Sequence, residues 1–495
     1  MIYSVGENMY AFNSGIEFAQ VQRTKAFNAA NMPAKIITRQ YNRYLARNAA
    51  WMGLQPDEYL NMYDYFQKVT DFEPFAQNVR TLAAIPRGTY HVRYTDNNEA
   101  HITENGQVLA TVHLLPDKAD CVGDIEYFNN LGDTMMTAYY DWRGFRSMVE
   151  TYHPDGLVAS QTYYDPAGAQ VLAVTWMPEN GESQATSWQL LNYHGQNYTF
   201  DSENQLFTFF LNELNDALAS TFIVDRPHLA TSVLGIDTPK RTIAYIHDSH
   251  LQQAATGNAY FVKGSYQPVL QPRGREFNLV AVATAQQAAQ IKAQFPACVV
   301  RQVPTIYTQV VDDNTVTELQ KILYVGRLAP DKNILGLLKV AAALKTHYPT
   351  IQLVLKGYFA SSEYEAQILA EIQALQLDDN VTLVPYSVDD NGIYADASVF
   401  LSTSLAEGLG INMLTSLAHG VPVACYGIAY TQDNLIIDGA NGICSDECNP
   451  QALAQKIITT FENPLTVMNL KVQAKQTAQQ YQAEQLVTAW QQVLH

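Results

Sequence analysis

The chain is short of positive charge. Of its 495 residues only 30 are Lys or Arg, against 48 Asp or Glu, a formal charge of −18. A surface this acidic repels phosphate backbones at long range, so nucleic acid is not expected as a partner, and anionic membranes and polymers are disfavoured. Cysteine is also scarce: Cys121, Cys298, Cys425, Cys444 and Cys448 are odd in number and scattered. Cys444 and Cys448 lie close together, but no second Cys/His pair nearby completes a zinc site, so buried or idle thiols are expected. Long apolar runs are missing too. The most apolar region, 397–428, carries Glu407, Asn412 and His419, which excludes a transmembrane helix there. The opening MIYSVGENMY has neither the basic flank nor the apolar stretch of a signal peptide. These absences lead to the expectation of a soluble, cytoplasmic protein with no transmembrane segment.

Apolar residues make up 47% and charged residues 16% of the chain, the balance of an ordinary packed core. At roughly 150 residues per domain, the length suggests about three compact units. Residues 1–70 alternate strand and helix. IYSV (2–5) reads as a strand, Asn13-Ser14-Gly15 opens a helix running to Phe27, AKIITRQY (34–41) is a second strand, and 57–68 reads as a helix rich in Tyr and Met. Residues 88–200 change character. Turn signals recur at Asn105-Gly106, Leu131-Gly132-Asp133, Trp142-Arg143-Gly144, Pro154-Asp155-Gly156, Pro166-Ala167-Gly168, Asn180-Gly181 and His194-Gly195. From Gly132 the glycines step by 12, 12, 12, 13 and 14, with Tyr-, Thr- and Val-rich segments between, which is the spacing of an antiparallel meander.

Residues 205–305 resume α/β alternation: a helix over 205–219, strands at TFIVD (221–225), RTIAYIH (241–247) and NLVAVA (278–283), the helix TAQQAAQIKAQF, and a strand in ACVVRQVP (297–304). Residues 319–463 form a second α/β unit with strands at KILYVG, IQLVLKG, VTLVPYS, ASVFLSTS and VPVACYG. The last thirty residues have no Pro or Gly after Pro464 and read as one long helix. The expected division is therefore 1–87 with 201–310 as an N-terminal Rossmann-like domain, 88–200 as an inserted β-meander, 311–465 as a C-terminal Rossmann-like domain, and 466–495 as a helix packing back across both.

Two Rossmann-like units without a Gly-x-Gly-x-x-Gly fingerprint point to a ligand held between the strand C-termini of both halves. GRLAPDKN follows the first strand of the second unit. Its Arg327 and Lys332, next to Gly326 and a helix start at 333, can cradle a diphosphate, or be two solvated loop cations. SLAEGLGINMLTSLAHGVPV follows the fourth strand. Glu407 stands at the strand end, Gly408-Leu409-Gly410 lets backbone approach a ligand, and the helix from 411 aims its N–H groups into the same crevice. A carboxylate there can accept from sugar hydroxyls, or be an ordinary helix-start charge.

The order GRL–x–x–x–K, LKG, EGLG, GVPVACYG and DGANG (438–442) resembles the GT-B retaining glycosyltransferases that use nucleotide sugars. SGIEFAQVQRTKAF, the meander, VDRP (224–227) and IHDSH (246–250) are most similar to one subgroup: the protein O-GlcNAc transferases of accessory secretion and the poly(glycerol-phosphate) α-glucosyltransferases of teichoic acid. The resemblance implies a GT-B fold and transfer of a hexose, N-acetylglucosamine or glucose, from a UDP-sugar. It implies no metal, because Arg327 and Lys332 neutralise the leaving diphosphate. Glu407 would grip the donor sugar, His247 would face it across the cleft, and Gly15 would pass close to the phosphates. Gly326, Tyr386, Gly408, Leu409, Gly410, Asn412 and Thr415 would complete the donor site. In the subgroup the meander serves acceptor or partner-subunit binding.

The chain departs from the family pattern at four positions. Thr415 replaces a ribose-gripping glutamate, a loss of roughly 1–2 kcal/mol of charge-assisted bonding. Thr431 and Phe359 replace glycines, and Ile306 replaces a small residue. Two alternatives to an active protein O-glycosyltransferase stay open: a non-catalytic subunit that stabilises a homologous partner, and a teichoic-acid α-glycosyltransferase. The meander's own cations are Arg93, Lys118, Arg143 and Arg146 against more than a dozen carboxylates. That balance, with Tyr139, Tyr140, Trp142, Tyr163, Tyr164 and Trp176, favours a Ser/Thr-rich protein acceptor, a homologous subunit or a second copy of the chain over a phosphate polymer.

Overall fold

The computed structural model describes every residue except 86–89, 96–97, 216–219, 238–239, 254–259, 272, 388–391, 429, 431–434 and 495. Among the described residues two parallel sheets and a ten-stranded antiparallel sheet organise the chain, and Leu251–Gln253 pairs with Tyr260–Val262 in a small antiparallel ribbon. The first parallel sheet has seven strands in the order Val300–Gln302, Leu279–Val282, Arg241–Ile246, Thr221–Val224, Ile2–Gly6, Ala34–Thr38, Tyr59–Asn61. The second has six: Val381–Pro385, Gln352–Gly357, Lys321–Val325, Val399–Ser402, Val423–Tyr426, Gly442–Ser445. Their central strands are buried along their whole length and apolar, as sheets covered by helices on both faces require.

Between them in sequence, ten antiparallel strands from His91–Tyr94 to Gln196–Phe200 pair strictly with their chain neighbours. The turn signals explain this. Asn105-Gly106, Asn180-Gly181 and His194-Gly195 each place two successive residues at positive φ (50° and 83°, 53° and 83°, 50° and 80°), the backbone of tight hairpins whose twist matches the strands. The sheet is anchored to the first domain by buried charge. Arg143 bridges Asp64 and Asp141 (2.7 Å each), and the Gln67 amide donates to the carbonyls of Ser147 and Tyr164 (2.8 and 2.7 Å).

Three expectations are corrected. The segment 57–68 is not one helix: Tyr59–Asn61 is an edge strand and Met62–Phe66 a short helix. Asn61 makes the break, accepting from the backbone N–H of Tyr63 and Asp64 while its amide donates to Thr38 and Gln40. The helix expected over 205–219 is observed as Glu203–Leu214, and 216–219 lie outside the described residues. The tail is two helices, Pro464–Ala478 and Ala483–Leu494, separated by extended backbone at Gln482. The break is tertiary in origin, because the Tyr481 carbonyl accepts from Thr308 N–H on the interdomain crossing (2.7 Å). The structure also adds the helix Leu45–Trp51 and the strand Gly442–Ser445, which carry no distinct sequence signal.

The two tail helices serve different domains. Pro464–Ala478 buries Val467, Leu470 and Ala474 in the second domain's core. Ala483–Leu494 returns to the first, where fully buried Trp490 packs against Phe27 and Tyr245 (ring centres 5.7 and 6.0 Å) and donates to Pro304 O (3.0 Å). Trp490→Ala should therefore lower stability by about 3–5 kcal/mol, the usual cost of emptying a buried aromatic site. Urea unfolding followed by circular dichroism should show an earlier midpoint for the variant.

Candidate active site

Parallel strands deliver their C-terminal ends to one edge, and here the two edges face each other across a cavity of about 970 Å³, the volume of a large ligand site. Its wall includes Gly15, His247, Gly326, Arg327, Lys332, Tyr386, Glu407, Gly408, Leu409, Gly410, Asn412 and Thr415. Every site residue named from the sequence thus lies on this one surface. It also contains residues the sequence reading passed over: Asn13, Ser14, Arg226, Thr305, Lys356 and Ser404 among them. Their signal was position, since each follows or ends a strand or opens a helix, and Lys356 and Arg226 stand inside the LKG and VDRP strings themselves.

The cation loop is built by a turn tighter than expected. Pro330–Lys332 form a 3-10 turn, and Asn333, at φ 50°, caps the helix Ile334–Lys345 by accepting from Gly336 N–H (3.2 Å). The Asn333 amide also donates to Thr403 O (3.2 Å), tying this loop to the one that carries Glu407. Lys332 Nζ consequently lies 2.6 Å from Glu407 Oε1. Burial opposes the ammonium charge, but Glu407 outweighs it and raises the Lys332 pKa. Arg327 is held more loosely, by Asp331 at 3.0 Å with both side chains partly exposed, so an incoming anion can recruit it at little cost.

The glycines are explained by what a side chain would strike. A Cβ on Gly357 would lie 1.9 Å from Gly326 O, and one on Gly408 2.0 Å from His247 O. The second contact crosses between domains, so Gly408 sets how closely the two edges approach. Gly410, at φ 83°, starts the helix Ile411–Ala418, and Asn412 locks that start by donating to Val325 O (2.6 Å). Across the cleft, Ser14 caps the helix Gly15–Ala29 in a reciprocal box with Glu17, and Arg226 pairs with both. Tyr386 joins Phe12 and Tyr358 in a ring cluster at 5.4–5.7 Å that bridges the domains.

His247 is held by its own domain. It lies on the cavity wall, but both ring nitrogens are engaged within its own domain, Nε2 with Asp225 Oδ1 (2.7 Å) and Nδ1 with Thr305 Oγ1 (3.2 Å). Asp225 is fully buried and also takes Arg23 at both oxygens (3.1 and 2.5 Å) and the Gln20 amide (3.0 Å). Thr415 donates back to Ile411 O (3.2 Å) within its own helix and offers no carboxylate to the cavity. Ile306 is buried in the second domain's core, and Phe359 packs against that core. Thr431 lies outside the described residues. The five cysteines are free thiols, four of them buried. Among the described residues no cluster of His, Cys, Asp and Glu could hold a metal ion, and no helix is long and apolar enough to cross a membrane.

Burial opposes ionisation of Asp225, yet Arg23 and His247 prevail and hold its carboxyl at about 2 against an ordinary 3.8. A carboxyl depressed on folding contributes stability that is complete above its unfolded pKa and fades as pH falls through its folded one. Asp225→Asn should cost about 3–5 kcal/mol at neutral pH by leaving Arg23 buried without its counter-charge. In urea melts the gap to the unaltered chain should narrow between about pH 5 and about pH 2.

Comparison with known proteins agrees with this geometry. Residues 310–480 match the family Glycosyl transferases group 1, and residues 90–201 match the GtfB middle domain. The UDP-N-acetylglucosamine–peptide N-acetylglucosaminyltransferase GtfA subunit of Streptococcus pneumoniae serotype 4 is 23% identical over 100% of this chain and 99% of its own length. The poly(glycerol-phosphate) alpha-glucosyltransferase of Bacillus subtilis is 25% identical over 80% of this chain and 57% of its own. The crystal structure of the pneumococcal O-GlcNAc transferase GtfA in complex with UDP and GlcNAc superposes with a TM-score of 0.86 at 19% identity, covering 100% of this chain and 99% of that one. The chain has a GT-B fold, and its sequence resembles the group of protein O-GlcNAc transferases and poly(glycerol-phosphate) α-glucosyltransferases.

Proposed function

We propose that this chain transfers a hexose, N-acetylglucosamine or glucose, from a UDP-sugar to Ser/Thr hydroxyls of a protein, with retention at the anomeric carbon. One observation carries the reading: Arg327, Lys332, Glu407 and the Gly408–Gly410 helix start converge on one interdomain cavity large enough for a nucleotide sugar. Lys332 is already desolvated and charged, and Arg327 is free to leave Asp331 for a diphosphate. As the glycosyl bond breaks, negative charge grows on the leaving phosphate oxygen beside these two cations, and the cations stabilise it without a metal ion. Glu407 accepts from hydroxyls of the donor sugar. His247, with its nitrogens bound to Asp225 and Thr305, shapes the wall opposite. Among the described residues the carboxylates on the cavity wall, Asp248, Asp331 and Glu407, are each held in an ion pair, by Lys263, Arg327 and Lys332, which favours front-face attack assisted by the leaving group over double displacement.

The word subunit in the S. pneumoniae relative's name, and the match of the inserted sheet to a GtfB middle domain, support a partner subunit of the same kind. A cytoplasmic site of action follows from the UDP-sugar donor in this reading. A non-catalytic subunit is the second reading, favoured by the missing carboxylate at Thr415. Two measurements separate them. UDP release from UDP-GlcNAc and UDP-glucose, with a Ser/Thr-rich polypeptide or poly(glycerol phosphate) as acceptor, should show turnover with the polypeptide. Arg327→Ala or Lys332→Ala should cut that turnover at least about tenfold, the effect of one well-placed charge donor, with the melting temperature nearly unchanged. Native rates in the double variant would refute the assignment. Thr415→Glu should tighten UDP binding in calorimetry by about five- to thirtyfold, equivalent to roughly 1–2 kcal/mol. UDP binding that is undetectable both before and after this substitution would select the non-catalytic reading.

A further inference from the structure

Beside the cleft, the helix Leu45–Trp51 meets the Trp142–Gly144 turn of the inserted sheet in a cluster of rings and cations. The Arg47 guanidinium stands 4.7 Å from the ring centre of Tyr44, 4.3 Å from Trp51 and 5.3 Å from Trp142. Lys118 Nζ stands 4.4 Å from the ring centre of Trp142. Among the described residues neither cation is in an ion pair. Among the described residues Arg47 bonds to Asn48 Oδ1 (3.2 Å) and Lys118 to Trp142 O (2.6 Å). Exposed Asp117 acts on Arg47 through its charge without pairing with it. Trp51 leaves 48% of its surface in water.

The cluster is joined to the cavity wall through buried side chains. Met52, next to Trp51, accepts from Asn13 on the cavity wall (3.2 Å), and Asn48 holds Met9 O (2.9 Å). The loop thus pinned presents Tyr10 and Phe12, 50% and 56% exposed, along the way to Tyr358 and Tyr386. Exposed Trp51 thus stands next in the chain to a residue bonded to the cavity wall, beside two cations with which no carboxylate pairs among the described residues. Trp, Tyr and Arg are the residues in which binding energy at protein interfaces concentrates. Cations stacked on rings are partly desolvated and keep their charge for a ligand.

Charge decides the occupant. The chain as a whole is strongly negative, so a polymer with a phosphate in every repeat is repelled along its length. A polypeptide with one or two carboxylates engages the local cations and escapes most of that repulsion. We propose that the Tyr44, Arg47, Trp51, Lys118 and Trp142 surface docks the acceptor, an extended Ser/Thr-rich polypeptide with Asp or Glu flanking the modified hydroxyl. The proposal rests on the protein-acceptor reading above.

The experiment is steady-state transfer from the UDP-sugar to three matched Ser/Thr peptides whose flanking residue is Asp, Asn or Lys, with poly(glycerol phosphate) as a fourth acceptor. The Asp peptide should have the lowest KM. Arg47→Ala with Lys118→Ala should raise that KM about tenfold while kcat stays within about twofold, the split expected for a docking surface. Arg47→Glu should invert the preference toward the Lys peptide, a gain that a misfolded variant cannot produce. Equal KM values for the three peptides, or an unchanged KM in the double variant, would overturn the docking surface and leave the protein-acceptor reading standing. Transfer to poly(glycerol phosphate) and to no peptide would overturn both.

Discussion

The buried pair of Arg23 and Asp225 is the interaction on which the first domain and one wall of the cleft depend. Removing both charges from water is expensive, and the cost is recovered only if every polar atom of the pair is satisfied. Here it is: Asp225 accepts from Arg23, Gln20 and His247, while Arg23 also reaches Ser4 and lies 5.2 Å from the ring centre of Trp490. These residues come from the first strand, the first helix, the VDRP segment, the IHDSH segment and the last helix of the chain. One charge cluster thus fixes the strand ends of the first sheet, the orientation of His247 and the seat of the C-terminal helix.

The second domain is positioned against that wall by close approach. Gly408 lets its loop lie against His247 O, a Cβ on Gly15 would come within 3.0 Å of Ile411 Cδ1, and Phe12 inserts between domains onto Tyr358 and Tyr386. Small residues and one exposed ring make these contacts, and buried Tyr430 adds polar ones to His250 and Gln290. Contacts of this kind hold a cleft of defined width while leaving its cations, Arg327 above all, available to a ligand. The interdomain crossing and the break between the two tail helices meet at Thr308 and Tyr481, so both chain passages between domains lie at one place.

The inserted sheet follows a different logic. Its strands pair only with chain neighbours, and its hairpins close through residues that tolerate positive φ, so its topology needs no long-range information. Its docking is the opposite. Arg143 is neutralised by Asp64 from the first domain as much as by Asp141 from its own turn, and Tyr163 packs with Tyr41 and Tyr63. The sheet is therefore an extension of the first domain's core, and the Trp142 turn is held beside the cleft as a consequence.

Local chemistry made much of this readable in advance. Strand–helix alternation, turn glycines at regular steps, the Ser14 cap and the GRLAPDKN and EGLG strings at strand ends depend on residues within a few positions of each other. Those features determined both Rossmann-like units, the meander and the residues gathered at the cavity. What the sequence could not decide depended on partners far along the chain. The tail breaks at Gln482 because Tyr481 is claimed by Thr308, the segment 57–68 splits because Asn61 is claimed by Thr38 and Gln40, and the nitrogens of His247 turn to Asp225 and Thr305. In each case a hydrogen bond across the fold competes with a local preference worth only a few tenths of a kcal/mol to about 1 kcal/mol per residue, and a buried polar group left unpaired costs more than that. The sequence alone determined which elements form and which residues gather at the cleft; the tertiary structure decided where helices stop and what each polar side chain there is free to bind.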